Sequence, residues 1–259
     1  MKPDYASIIS CPYCGQRVEI MSSCTSNSFS MDYYSDQQIV AKNMAHVSPI
    51  LKCPKCQNYY WTCKQPQKRS NHYSLQLGTL SYADLIAAAK QLQSEEMEKS
   101  DEITLCKEIV HAFNDTYYNI DESTMNDEQK QMFNADYQAF QKYALRLSYL
   151  MRGNKLLRAE LYRECQRYSV CISILETFQS DDKMEMRLRD AIMNKAKRQE
   201  SDVFLCFSRG YSAAHGSKTR QRDVSPVLPY KPISPFKRLR YVLFRISFSF
   251  IEWIAKDVS

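Results

Sequence analysis

Glycine is scarce in this chain: five residues in 259, at positions 15, 78, 153, 210 and 216. That scarcity excludes loops whose backbone must approach a phosphate without Cβ atoms, and no Gly-x-Gly-x-x-Gly fingerprint occurs. The nearest approach to a P-loop is Gly210-Tyr-Ser-Ala-Ala-His-Gly216-Ser-Lys-Thr. It has one residue too many between its glycines, a serine before its lysine, and prolines where a phosphate-binding helix should begin. Histidine is also rare, with His46, His72, His111 and His215 widely scattered and no His-Glu-x-x-His spacing. His111 has Glu108 nearby on a helical stretch, and acidic groups cluster at 95–98 and 121–128. Both patterns fit solvated or hydrogen-bonded side chains, and no nucleophile–base pair is legible, so the chain is read as not an enzyme. Residues 1–10 lack a cationic segment followed by an apolar core, which points away from secretion and towards a reducing, cytoplasmic setting.

The formal charge of +6 is confined to the end of the chain. Basic and acidic residues balance over 1–210, whereas 211–259 hold nine basic residues against three acidic ones. A neutral body argues against a phosphate-binding face, and the basic tail leaves nucleic acid or an anionic membrane surface as possible partners.

What the chain does have is cysteine: ten, at 11, 14, 24, 53, 56, 63, 106, 165, 171 and 206. Cys11-Pro-Tyr-Cys14-Gly and Cys53-Pro-Lys-Cys56-Gln are near copies of one another. Each Cys-x-x-Cys turn lets two thiolates grip one ion while its backbone amides face the sulfurs. Gly15 supplies the positive φ that closes the first turn. Two such knuckles complete a four-thiolate Zn2+ site, predicting Cys11, Cys14, Cys53 and Cys56 as structural ligands. The 38 residues between the pairs exceed the roughly 15–20 of a simple ribbon, so a polar loop is expected over about 22–46. Strand-like stretches at 7–10, 17–21, 47–52 and 58–62 flank the knuckles. Cys24, Cys63 and His46 are spare candidates for a ligand position, and Tyr59, Tyr60 and Trp61 suit cover for a small core or a stacking surface.

Residues 66–78 read as a polar linker and 79–206 as helical nearly throughout. Ser81 with Asp84 begins a first helix bearing Leu85, Ile86, Ala89 and Leu92. Ser100, followed by Asp101 and Glu102, begins a second along Ile103, Cys106, Ile109, Val110, Phe113 and Tyr117. A third runs over 127–151 with Met132, Phe133, Tyr137, Phe140, Ala144, Leu147 and Leu150 inward, and Gly153-Asn154 breaks it. A fourth (155–165), a fifth (168–178) and a sixth (182–204) follow, with short connections that imply antiparallel hairpins.

Residues 7–62 resemble a zinc ribbon through the two knuckles and their flanking strands. Residues 155–178 resemble one tetratricopeptide-type hairpin. Ala159 and Tyr162 stand at the small and aromatic positions of its first helix, and Tyr168, Cys171 and Leu175 at the aromatic, small and large positions of its second. The match departs at Gln166, where a turn glycine is usual, and at Arg158, where leucine is usual; no clean 34-residue period extends over 79–151. An N-terminal zinc ribbon followed by tetratricopeptide-like helices resembles a group of bacterial proteins, which implies a binding or scaffolding role without chemistry.

The expected architecture is mainly α, with antiparallel helical hairpins behind a small β zinc ribbon. It divides into a ribbon (1–65), linker (66–78), helical domain (79–206) and basic tail (207–259). The tail reads as poorly ordered over 207–238. Its apolar segment 236–255 fits a strand or a helix face, packing on the body or lying in a membrane interface. The expected function is a non-catalytic zinc-binding scaffold whose helical domain holds a protein partner. The alternative is a nucleic-acid-binding regulator using the ribbon and tail. No small-molecule substrate is inferred.

Overall fold

The computed structural model describes residues 5–23, 31–41, 48–70, 80–93, 97–118, 120 and 124–209. Its strands are β1 (Tyr5–Ser10), β2 (Arg17–Ser23), β3 (Met31–Tyr34), β4 (Ile39–Ala41), β5 (Ile50–Lys52), β6 (Tyr59–Trp61), β7 (Lys68–Ser70) and β8 (Leu205–Arg209). Between β7 and β8 come the helices α1 (Tyr82–Leu92), α2 (Lys99–Tyr117), α3 (Asp127–Leu150), α4 (Lys155–Glu164), α5 (Tyr168–Glu176) and α6 (Lys183–Lys197). The protein is mainly helical with small antiparallel sheets, as its sequence pattern predicts.

The strands expected around the knuckles form two hairpins, β1–β2 and β5–β6, with Ile9 opposite Val18 and Leu51 opposite Tyr60. Neighbouring strand residues point to opposite faces, and here both faces of the second hairpin are buried. Leu51 and Tyr60 close on Ile9, Val18 and Ile20 around Cys11 and Cys53. Ile50, Tyr59 and Trp61 face the other way, into one core with Leu85, Ala88, Ile109, Phe140 and Leu147. The hairpin is therefore a wall of the helical core as well as half of the ribbon. Gln91 of α1 acts as a substitute strand, accepting from the Tyr59 N–H and donating to its carbonyl, both at 3.0 Å. Asp84 accepts from Lys52 Nζ at 2.8 Å and from the Tyr59 hydroxyl at 2.9 Å.

Several expected boundaries move. β7 occupies 68–70 of the expected linker and pairs with β1. Ser81 caps α1 as expected, accepting from the Asp84 N–H at 3.1 Å. Helix α2 starts earlier than Ser100 predicts: Glu98 is the N-cap, without a side-chain cap bond, and Asp101 and Glu102 supply negative charge to the first turn. Asn126 and Gln129 close a capping box at α3. Met132, expected inward, is 58% exposed, because it lies one position off the 133–137–140–144–147 stripe.

The sixth helix stops at Lys197 and not near 204. Gln199 takes φ 59°, the Glu200 N–H reaches the Lys195 carbonyl at 3.0 Å, and the Gln199 N–H reaches that of Ala196 at 3.1 Å. This Schellman closure releases Val203–Cys206, rich in β-formers, to run into β8. β8 pairs with β3, which pairs with β4. Part of the insertion expected as a polar loop is thus a hairpin whose turn contacts α2 and the start of α4, and β8 takes up 207–209 of the stretch expected to lack order.

A second core joins Leu156 and Ala159 of α4, Cys171 and Leu175 of α5, and Leu188, Ile192 and Ala196 of α6, with Phe204 and Cys206. No helix among the described residues is long and apolar enough to cross a membrane. The P-loop-like stretch 210–219 and the segment 236–255 lie outside the described residues.

Candidate metal centre

Each cysteine pair sits in a turn closed by the same two backbone bonds. Gly15 N–H reaches the Cys11 carbonyl at 2.9 Å and Cys11 N–H that of Gln16 at 2.8 Å. Gln57 N–H reaches the Cys53 carbonyl and Cys53 N–H that of Asn58, both at 2.9 Å. Both turns need a left-handed residue after the second cysteine: Gly15 at φ 71° in one, Gln57 at φ 61° in the other. Gln57 offsets part of that strain by donating its amide to the Pro54 carbonyl at 3.0 Å.

The hairpins bring the turns face to face. Cys11 Sγ lies 3.6 Å from Cys56 Sγ, and Cys14 Sγ lies 3.6 Å from Cys53 Sγ. The four sulfurs are 3.5–3.8 Å apart. A tetrahedron with metal–sulfur bonds of about 2.3 Å has edges of about 3.8 Å, so these residues fit one metal ion without rearrangement. The four predicted ligands are those the fold brings together. Cys63 is exposed and outside the cluster, and Cys106, Cys165, Cys171 and Cys206 are buried elsewhere. Cys24 and His46 lie outside the described residues.

The sulfurs differ in their surroundings. The Asn58 backbone N–H, opposed by burial, brings the Cys56 thiol down to about 6. Burial pushes Cys11 up to about 12. Tyr60, buried first and facing the cysteines second, is raised to about 12. A bound cation reverses the penalty on the buried thiols, since thiolate is the ligand form. With all four positions filled by sulfur, a tetrahedral ion keeps none for water or substrate.

A second polar cluster was not anticipated from sequence. Arg163 and Glu160, one helical turn apart on α4, are both fully buried, with Arg163 Nε 2.8 Å from Glu160 Oε2. Arg163 also donates to the carbonyls of Glu200 and Asp202. Close by, the Asn114 side-chain amide donates to Asp36 Oδ2 at 2.9 Å and to Glu164 Oε2 at 3.2 Å. His111 Nε2 stands 3.9 Å from Asp36. The only sequence signal is that acids and arginine interrupt the apolar run of α4, which usually marks a solvated face. Here α4 is enclosed by α3, α5, α6 and the β3–β4 turn.

Compared with known proteins, the chain matches no family model, no curated protein and no solved structure.

Proposed function

We propose that this chain is a non-catalytic, zinc-binding interaction or scaffold protein whose helices carry the partner site. The observation that carries the reading is the closed set of four sulfurs on a hairpin that is itself part of the helical core. Such an ion sets shape and performs no reaction. Four thiolates in tetrahedral spacing favour Zn2+ over hard, oxygen-seeking ions. Ala159 and Cys171, both fully buried in one cluster, support a tetratricopeptide-like α4–α5 hairpin. Gln166 stands where that pattern has glycine, and at φ 60° it adopts the glycine-like backbone. Met132, Tyr149 and Val170, at 58%, 62% and 39% exposure, are exposed apolar side chains on α3 and α5.

The test has two arms. Plasma mass spectrometry should find one zinc per chain in the full-length protein and none in Cys53→Ser/Cys56→Ser. Affinity capture from the native host should recover a defined partner, retained after a high-salt wash and lost when Met132, Tyr149 and Val170 become serine. Absence of zinc from reduced, chelator-free protein overturns the metal reading. Salt-sensitive capture of nucleic acid in place of a protein overturns the scaffold reading in favour of a nucleic-acid-binding regulator.

A further inference from the structure

Helices α2 and α3 meet through a run of aromatic rings. Phe113, Tyr117, Phe133, Tyr137 and Phe140 stack or tilt against one another with centroids 4.4–6.1 Å apart. Each ring packs on at least two of the others, which holds this wall in place. Together with Val203, from the segment after α6, the rings line a cavity of about 50 Å3. The hydroxyls of the wall are committed inside the protein: that of Tyr117 donates to Asp136 Oδ2 at 2.7 Å and that of Tyr137 to the Glu164 carbonyl at 2.8 Å. The rest of the lining is polar, with Gln166, Ser201 and Asp202 supplying an amide, a hydroxyl and a carboxylate.

Tyr118, Ile120 and Asp202 are exposed lining residues and mark where the cavity opens to solvent. The charge at this opening is negative. Among the lining residues the only charged ones are the buried Glu164 and the exposed Asp202, and no described lysine or arginine pairs with the Asp202 carboxylate. Tyr118 packs edge-on against Tyr34 at 5.6 Å. Burial first, then Tyr118 and the acids Asp32, Asp115 and Asp36, raise the Tyr34 hydroxyl, so the acidic character continues beside the opening.

Size narrows the guest further. The cavity is far below the roughly 300–1,000 Å3 of a cofactor or drug-sized pocket and is about a third of one that admits benzene. It accommodates one short aliphatic group and no ring system.

We propose that this cavity is the partner site of the scaffold reading above, on which the inference rests. It takes one leucine- or valine-sized side chain of a partner's peptide, with a neighbouring lysine or arginine of that peptide beside Asp202. A nucleic acid or an acidic peptide would bring negative charge to a negative opening. A lipid tail is too long for the volume and would leave the polar part of the lining without partners. A peptide matches both parts, because each of its residues joins an apolar side chain to a hydrogen-bonding amide.

The test titrates the full-length protein with a short blocked peptide carrying Lys-Leu-Lys between Gly-Ser spacers. Control peptides carry Glu-Leu-Glu or Lys-Ser-Lys, and isobutanol supplies the side chain alone. Binding is read from NMR shifts of the Ile120, Gln166 and Val203 backbone amides. The Lys-Leu-Lys peptide should give saturable shifts, at least about tenfold tighter than each control. Asp202→Lys, a surface change, should reverse the order of the Lys-Leu-Lys and Glu-Leu-Glu peptides. Val203→Met should fill the cavity and remove the response while amides elsewhere keep their shifts. No saturable shift, or binding of either control peptide as tight as that of Lys-Leu-Lys, overturns the proposal. Isobutanol binding as tightly as the peptide also overturns it and assigns the cavity to a free apolar molecule. A protein partner captured equally well by wild type and Asp202→Lys/Val203→Met overturns this pocket and leaves the scaffold reading standing.

Discussion

Replacing Arg163 with methionine tests how α4 is tied to the segment that follows α6. Arg163 is fully buried, pairs with the buried Glu160, donates to the Asp202 carbonyl at 2.9 Å and to that of Glu200, and lies 5.4 Å from the centre of the Phe204 ring. Methionine fills similar volume but strands a carboxylate and two carbonyls. Breaking one half of a buried ion pair costs about 3–5 kcal/mol, and an orphaned carbonyl about 1 kcal/mol or more. These costs overlap, because they share one guanidinium, so the expected loss is about 5 kcal/mol. Against a typical stability of about 5–15 kcal/mol, this takes the chain close to unfolding. Urea denaturation followed by near-ultraviolet dichroism should show a greatly lowered midpoint, and Tm should fall by about 10–20 °C. The double variant Glu160→Met/Arg163→Met should recover about 2 kcal/mol or more, since no charge is then stranded. A loss below about 1 kcal/mol for the single variant, or a double variant worse than the single one, would refute the reasoning.

Other outcomes follow from the turns, the ribbon and its contact with α1. Gln166→Gly should stabilise the protein by about 0.5–1 kcal/mol in urea melts, because its φ of 60° is strained for any residue with a Cβ. Cys53→Ser/Cys56→Ser should abolish metal binding by the cysteine cluster and also raise amide exchange in α1, because Ile50, Tyr59 and Trp61 leave the helical core when their hairpin loosens. Asp84 is held at about 2, below its ordinary 3.8, chiefly by its hydrogen bond from Lys52 and against the effect of burial. Its stabilisation is thus complete above the ordinary value and lost as pH falls towards 2. With Asp84 29% and Lys52 36% exposed, solvent screening reduces the ion-pair contribution to about 1 kcal/mol. Asp84→Asn should therefore cost about that much at pH 7 and nothing near pH 2, measured by thermal melts across that range.

The four-cysteine cluster was legible because its chemistry is local. A Cys-x-x-Cys turn carries its own geometry, and two near-identical turns point to one shared cluster whatever separates them. The helices were legible from stripes such as Phe133-Tyr137-Phe140-Ala144-Leu147 and from a cap such as Ser81. Ends were harder. The stop at Lys197 depends on Gln199 adopting a left-handed backbone, which the residue type does not advertise. Strands β3 and β4 fall where the composition predicts a loop, since Met31–Tyr34 and Ile39–Ala41 are short and the other partner of β3 begins only at Leu205. The cluster of Asp36, Asn114, Glu160, Arg163 and Glu164 was missed for a related reason. Charged residues on a helix are usually solvated, and only the arrival of distant elements encloses these.

The pairing of β3 with β8 has a consequence for synthesis on the ribosome. The Phe204 N–H bonds to Ser35 Oγ across 169 positions of sequence. The cysteine turns can close once Asn58 has emerged, so the four sulfurs can gather early. The β3–β4 hairpin then waits, its outer edge unpaired, until all six helices and β8 have been made. Contacts this distant in sequence form late and slowly. A nascent chain halted before Leu205 would have its four cysteines gathered while Asp36 lacked its final surroundings, so the cysteine cluster and the closing strand mark early and late stages of folding.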